Sequence, residues 1–293
     1  MRRFVTLDLE TVPDEALVAA VDGPSDRPYQ DQLQRVVAER RARTGARSDF
    51  LPLPYHRPVA ACLLEAVEDG GIIEVTDVEA WTDRRSDERA FLERLWSRLE
   101  GATVVTFHGR GFDLPVLELR SLRLGVPAPA WFASACREGA PGHLDLKERL
   151  GAPGPSGAAP LDLYAKLCGL PGKEDVAGAD VGALYAAGAL DRIAAYCMTD
   201  VVQTWLLLLR HRLVEGSLTP DGYEESARSA REALPRHFAR RLGAVERGLL
   251  EGFLARCAPF FEGAAVLHPA RAAPAALPAG ARATARPARR RAL

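Results

Sequence analysis

The chain has 293 residues, is 47% hydrophobic and 26% charged, and carries a formal net charge of −1, values that exclude collagen-like, largely disordered and disulfide-scaffold classes. The charge is unevenly placed. From Gly263 to Leu293 there is no acid and there are six arginines (Arg271, Arg282, Arg286, Arg289, Arg290, Arg291), which leaves 32 basic and 39 acidic residues elsewhere. So acidic a body does not meet a polyanion through bulk charge, and any such contact is local, at a metal-bearing site or through the tail.

Residues 3–9 alternate and predict a strand. Residues 12–57 are polar and proline-rich, with one helical stretch near 28–44, and are expected to form an insertion lying over the core. Val59–Val67 and Ile72–Val78 predict two strands joined by the turn Glu68-Asp69-Gly70-Gly71. Ser86 is the expected N-cap of a helix over 87–100, with Gly101 ending it. Thr103–Phe107 predicts a short strand, followed by a glycine-containing loop and a helix from Asp113 to Leu124. Residues 125–160 are loop-rich, and helical patterns follow at 160–168, 180–187 and 189–214. Two further helices are expected over 219–262, and 264–293 is expected to be a disordered Arg/Ala/Pro-rich tail. This order implies an α/β mixed sheet flanked by helices.

No run approaches the roughly 20 apolar residues of a membrane span. No signal-peptide core lies between Met1 and Asp8. The five cysteines are scattered and form no CxxC, so a reduced, cytoplasmic setting is expected.

Asp8 and Glu10 sit two residues apart on the first strand and so share a face. Read alone, they fit a solvated edge strand. The otherwise apolar strand argues instead for a central one, where two acids are costly without a cation. Asp113 follows Gly109, Gly111 and Phe112 at a helix start, where the helix dipole alone favours an acid. Tyr196 and Asp200 are one turn apart on one helix face, a spacing that also suits a plain hydrogen bond at a helix rim. Other motifs fail. Leu114 stands where a dinucleotide fingerprint needs its third glycine, Glu174 follows Gly172-Lys173 in place of Ser or Thr, and neither HExxH nor GxSxG occurs. Strand acids and helix acids together suit two divalent ions clamping a phosphoryl displacement, with a tyrosine beside the attacking water.

Three stretches, Leu7-Asp-Leu-Glu-Thr11, Phe107-His-Gly-Arg-Gly-Phe-Asp-Leu-Pro115 and Tyr196-Cys-Met-Thr-Asp200, resemble the three motifs of the DEDD exonucleases in their tyrosine variant. More closely, residues 3–213 resemble the predicted 3′–5′ exonucleases related to the proofreading domain of family B DNA polymerases. Leu53-Pro-Tyr-His-Arg57, His143-Leu-Asp-Leu146, Pro160-Leu-Asp-Leu163 and Gly169-Leu-Pro-Gly-Lys173 support this. The resemblance implies a ribonuclease H-like fold over 1–215, and the helical patterns beyond it are expected to form an extension over 216–263. It also implies Asp8, Glu10, Asp113 and Asp200 as ligands of two Mg²⁺ or Mn²⁺ ions, and Tyr196 beside the water. Thr11, His108, Phe112, Asp145 and Lys173 are the candidate substrate contacts. The implied substrate is the 3′ end of single-stranded DNA, releasing nucleoside 5′-monophosphates, with replication or repair proteins as partners. An RNA substrate, as in ribonuclease D-like enzymes, and a non-catalytic nucleic-acid-binding module stay open. Two positions depart from the family. His108 stands where Asn is usual, from which altered nucleotide contacts are expected. Met198 replaces a more typical acid and is expected on the outer face.

Overall fold

In the computed structural model, residues 1–266 are described, apart from positions 25, 46, 85–86, 135–141, 152–158 and 174–177. In chain order the first half comprises β1 (Arg2–Pro13), α1 (Glu15–Asp22), α2 (Tyr29–Thr44), β2 (His56–Asp69), β3 (Ile72–Thr82), α3 (Glu88–Leu99), β4 (Thr103–Thr106) and α4 (Asp113–Leu124). Then come α5 (Pro129–Ser134), β5 (His143–Asp145), α6 (Leu146–Leu150), α7 (Leu161–Leu167), α8 (Val181–Ala186), α9 (Leu190–Val214), α10 (Pro220–Arg241), α11 (Ala244–Arg256) and α12 (Ala258–Val266).

The strands form one sheet in the order β3-β2-β1-β4-β5. β2 runs against β1 and β3, while β1, β4 and β5 run parallel. This is a mixed, ribonuclease H-like sheet, and β1 is its central strand. The pleat of β1 divides its residues between two layers. Val5, Leu7 and Leu9 pack with Leu92, Leu95, Leu114 and Leu117 of α3 and α4. Trp81 stacks on Phe91 with ring centres 4.1 Å apart, joining β3 to that layer. Phe4 packs on the other side with Val201 and Trp205 of α9 and with Phe238, Phe253 and Phe260 of the last three helices.

The glycine turn is as expected: Gly70 and Gly71 both hold positive φ, at 57° and 82°, and Asp69 pairs with Ile72 across it. Elsewhere the structure departs from the pattern. The insertion carries two helices, not one. Asp14 caps α1 by accepting from the backbone N–H groups of Ala16 and Leu17, and its buried carboxylate also pairs with Arg120 and Arg123 of α4. The expected cap Ser86 lies outside the described residues, and Asp87 caps α3 through the Arg89 N–H. The stretch 125–160 holds α5, β5 and α6, of which β5 has three residues, too few for a periodic signal. Among the described residues three helices, not two, follow residue 219.

Met198 is fully buried, against the expectation of an outer position. α9 lies between the sheet and α10–α11, so it is apolar nearly all round and has little outer face. The helical extension shares that core. The Ser226 hydroxyl accepts the Ile73 N–H at 2.8 Å, which occupies an edge donor of β3. A Cβ on Gly222 would lie 2.3 Å from the Gly71 carbonyl oxygen, so α10 seats on the hairpin only through glycine. The tail beyond 266 lies outside the described residues. Among the described residues no helix is long and apolar enough to cross a membrane.

Candidate active site

Asp8 and Glu10 project from the C-terminal half of β1 toward α9. Between Glu10 and Thr11 the pairing with β2 slips by one residue, opposite Pro58, which has no N–H to give the ladder. Asp200, on the turn of α9 after Tyr196, meets them there. One carboxylate oxygen from each of Asp8, Glu10 and Asp200 lies within 4.8 Å of the other two. Asp8 Oδ2 and Asp200 Oδ1 are buried with no hydrogen-bond partner. A buried orphan carboxylate oxygen is costly, and three convergent carboxylates are the donor set a hard divalent cation prefers. The residues therefore fit a divalent metal.

The electrostatics agree. Burial holds the Asp8 carboxyl well above the usual range, and the charges of Asp113, Asp200 and Glu10 add to it. Glu10 is raised by burial and by Asp200. Asp200 is raised by burial, with Lys173 opposing.

Asp113 opens α4 and is buried. Its Oδ1 accepts the Leu9 N–H at 3.0 Å, so it stands beside β1 between the two strand acids. It lies outside the close group of three but raises Asp8 by its charge. Burial pushes its own pKa up to about 7, with the N–H bonds from its own backbone and from Leu9 opposing.

The loop before Asp113 is held from below by Asp145. Its Oδ1 accepts the His108 N–H at 2.8 Å and its Oδ2 the Arg110 N–H at 2.9 Å. Oδ1 also caps α6 through the Lys147 N–H at 3.0 Å. Asp145 is thus a buried positioning group under the loop, and its substrate contact is not what the geometry favours. His108 has φ 71°, the only described non-glycine residue in the left-handed region. Asn and His tolerate that region better than most side chains, which accounts physically for His where Asn is usual. A Cβ on Gly109 would sit 2.5 Å from the Thr106 side chain, so this glycine is required by close approach. His143, held neutral by burial with its pKa near 4, bonds Thr106 Oγ1 at 2.9 Å from the adjacent strand.

Lys173, a candidate contact from the resemblance, enters the centre of the site. Its Nζ lies 2.7 Å from Asp200 Oδ2, donates to the Tyr196 hydroxyl and sits 4.8 Å from that ring's centre. Its segment is anchored by the Lys173 N–H on Asp162 at 2.7 Å and the Gly172 N–H on Gln203 at 2.8 Å. Burial pulls the ammonium down, but the Asp200 charge and the bonds to Asp200 and Tyr196 outweigh it, so it stays charged. Burial, Asp200 and Glu10 push the Tyr196 phenol well above its ordinary value, with Lys173 opposing. Tyr196 therefore keeps its proton at neutral pH. It accepts from Lys173, donates to Asp200, and is suited to orient a water more than to deprotonate one.

Thr11 bonds His56 Nδ1 at 2.9 Å, and His56 Nε2 donates to the Leu51 carbonyl at 3.0 Å. Phe112 meets the His56 ring edge-on at 5.0 Å. These two candidate substrate contacts line a cleft that opens beside Glu10.

The sheet thus carries a carboxylate cluster on the C-terminal half of its central strand. Residues 48–255 match the model of a family described as predicted 3′–5′ exonucleases related to the exonuclease domain of PolB, and the chain belongs to that family. The match includes Asp113, Lys173, Tyr196 and Asp200 and begins downstream of Asp8 and Glu10. No curated protein matches by sequence. Among solved structures, one of exonuclease I is similar at 13% identity and a TM-score of 0.42, over 79% of this chain and 44% of that one. A family B DNA polymerase from the hyperthermophilic archaeon Pyrobaculum calidifontis is similar at 15% identity and a TM-score of 0.42, over 83% of this chain and 30% of that one. The chain thus spans less than half the length of either.

Proposed function

We propose that this chain is a metal-dependent 3′–5′ exonuclease that removes nucleoside 5′-monophosphates from the 3′ end of single-stranded DNA. The observation that carries the reading is the convergence of Asp8, Glu10 and Asp200, with buried, unpartnered oxygens on Asp8 and Asp200, beside a protonated tyrosine. Asp8, Glu10, Asp113 and Asp200 would hold two Mg²⁺ or Mn²⁺ ions, which supply charge neutralisation at the scissile phosphate and at the leaving 3′-oxygen. The rest falls to the chain's own side chains. Tyr196 orients the attacking water by hydrogen bonding. Lys173 fixes the Tyr196 hydroxyl and adds positive charge where the phosphate approaches an acidic site. Asp145 keeps the loop of His108 and Arg110 in the shape that delivers Asp113.

A single-stranded end is favoured because fraying a duplex costs about 1.4 kcal/mol per base-pair step, and the acidic body offers little to offset it. Action at replication or repair intermediates, in a cytoplasmic setting, belongs to the same reading. The test is degradation of end-labelled single-stranded DNA and RNA, linear and circular, by the purified protein with Mg²⁺ or Mn²⁺. Stepwise release of 5′-mononucleotides from the DNA 3′ end is expected, with circles left intact. Cutting of circles would make it an endonuclease, faster loss of RNA would replace the substrate, and full activity in excess chelator would overturn the metal reading.

A further inference from the structure

The insertion between β1 and β2 does more than cover the core. Together with β1, Phe112 and Gly182 of α8 it lines an open cleft of about 890 Å³, within the size range of small-ligand sites. Glu10 and Thr11 line one end, next to the carboxylate cluster, and Val37 and Arg41 of α2 line the far wall. Between them stands a cluster of three rings. Phe50 lies 4.7 Å from His56 and 5.7 Å from Phe112, and His56 lies 5.0 Å from Phe112. Phe50 is nevertheless 56% exposed, so burial in the core does not account for it. His56 is fixed by Thr11 and the Leu51 carbonyl, and this gives the cluster a rigid back.

The charge of α2 runs against that of the body. It carries Arg35, Arg40, Arg41 and Arg43 against Asp31 and Glu39. Arg41 is held at the cleft by Asp49 at 3.1 Å and by the Arg47 carbonyl at 3.0 Å. An apolar, ring-lined cleft with an arginine on its wall matches a nucleotide, which has a base to stack and a phosphate to pair. Its opening beside Glu10 makes the nucleotide at the scissile bond the one within reach.

We infer that the insertion is a clamp for the 3′-terminal nucleotide, in which Phe50 and Phe112 stack its base and Arg41 meets strand phosphate. The inference rests on the exonuclease reading and names a binding element for that site. Stacking on one aromatic side chain corresponds to about 5- to 150-fold in affinity. Phe50→Ala should therefore raise KM by about that factor on single-stranded DNA, with kcat nearly unchanged, and Phe50→Trp should restore it. On an oligonucleotide whose terminal sugar lacks a base, Phe50→Ala should change nothing. Arg41→Gln should raise KM on both ends alike and flatten the salt dependence of binding by about 0.7 in slope, one phosphate's share on a single strand. An unchanged KM in Phe50→Ala, or an equal rise on the abasic end, would overturn the clamp while leaving the exonuclease reading intact. Equilibrium binding of an oligonucleotide with 2-aminopurine at its 3′ terminus, in chelator, tests the clamp without cleavage. The wild type should quench the fluorescence and Phe50→Ala should not. Equal quenching by both would overturn the clamp even if the protein cut nothing.

Discussion

Asp113 carries a stability cost that can be measured apart from activity. It is buried, its folded pKa is near 7, and the ordinary carboxylate value is 3.8. Folding therefore takes up a proton between those values, and stability falls as pH rises through that window. The cost is small at pH 4 and complete above pH 7. At 1.36 kcal/mol per pH unit the cost is on the order of 1 kcal/mol at pH 5 and a few kcal/mol at pH 8. Asp113→Asn removes the charge and keeps an oxygen that can accept the Leu9 N–H. The metal-free variant should accordingly be more stable than the wild type, and by more at pH 8 than at pH 5. The same variant should lose metal-dependent nuclease activity, because a ligand charge is gone. Urea denaturation of both proteins in excess chelator at the two pH values reads the difference. A gain that does not grow with pH, or a variant less stable at pH 8, would refute the assignment of a costly buried charge to Asp113. The outcome sought is a protein that gains stability where it loses function, as sites built from buried like charges should behave.

Tyr196→Phe should lower kcat by about 10²–10⁴-fold while divalent-ion binding, followed by calorimetry, stays intact; a matching loss of metal affinity would make the phenol structural. Asp145→Ala strands the N–H groups of His108, Arg110 and Lys147, each costing about 1–3 kcal/mol where water cannot reach. It should destabilise the fold by a few kcal/mol and depress kcat with it, whereas Asp145→Asn should recover part of both; wild-type denaturation by Asp145→Ala would count against the loop clamp. Arg120 pairs in the interior with Asp14 and Glu88, so Arg120→Ala should cost about 3–5 kcal/mol in urea denaturation by leaving Asp14 buried with a weaker partner.

Much of the chemistry was legible in residue types and local spacing. Alternation placed Asp8 and Glu10 on one face of a strand, and an apolar run marked that strand as central. Gly109, Gly111 and Asp113 announced the start of α4. A four-residue step put Tyr196 and Asp200 on one face of α9. Each of these is a short-range property, set by the period of a helix or strand and by the few backbone conformations that glycine permits.

What the tertiary structure alone decided is which distant groups share a volume. Lys173 sits on a segment with no periodic signal, yet packing of that segment against Gln203 and Asp162 delivers its ammonium to Asp200 and Tyr196. Asp145 belongs to a three-residue strand paired with β4, and its role under the loop of His108 appears once those strands pair. Met198 looked like a surface position because helix periodicity describes one buried face, and α9 is covered on two. Phe50 and Arg41 carry no pattern at all, and they become a cleft wall only because α2 folds back over β1. These contacts join residues well separated along the chain, Lys173 to Asp200 and Asp145 to His108 among them. The free energy that selects them comes from burial and polar pairing across layers, which local sequence periodicity does not record.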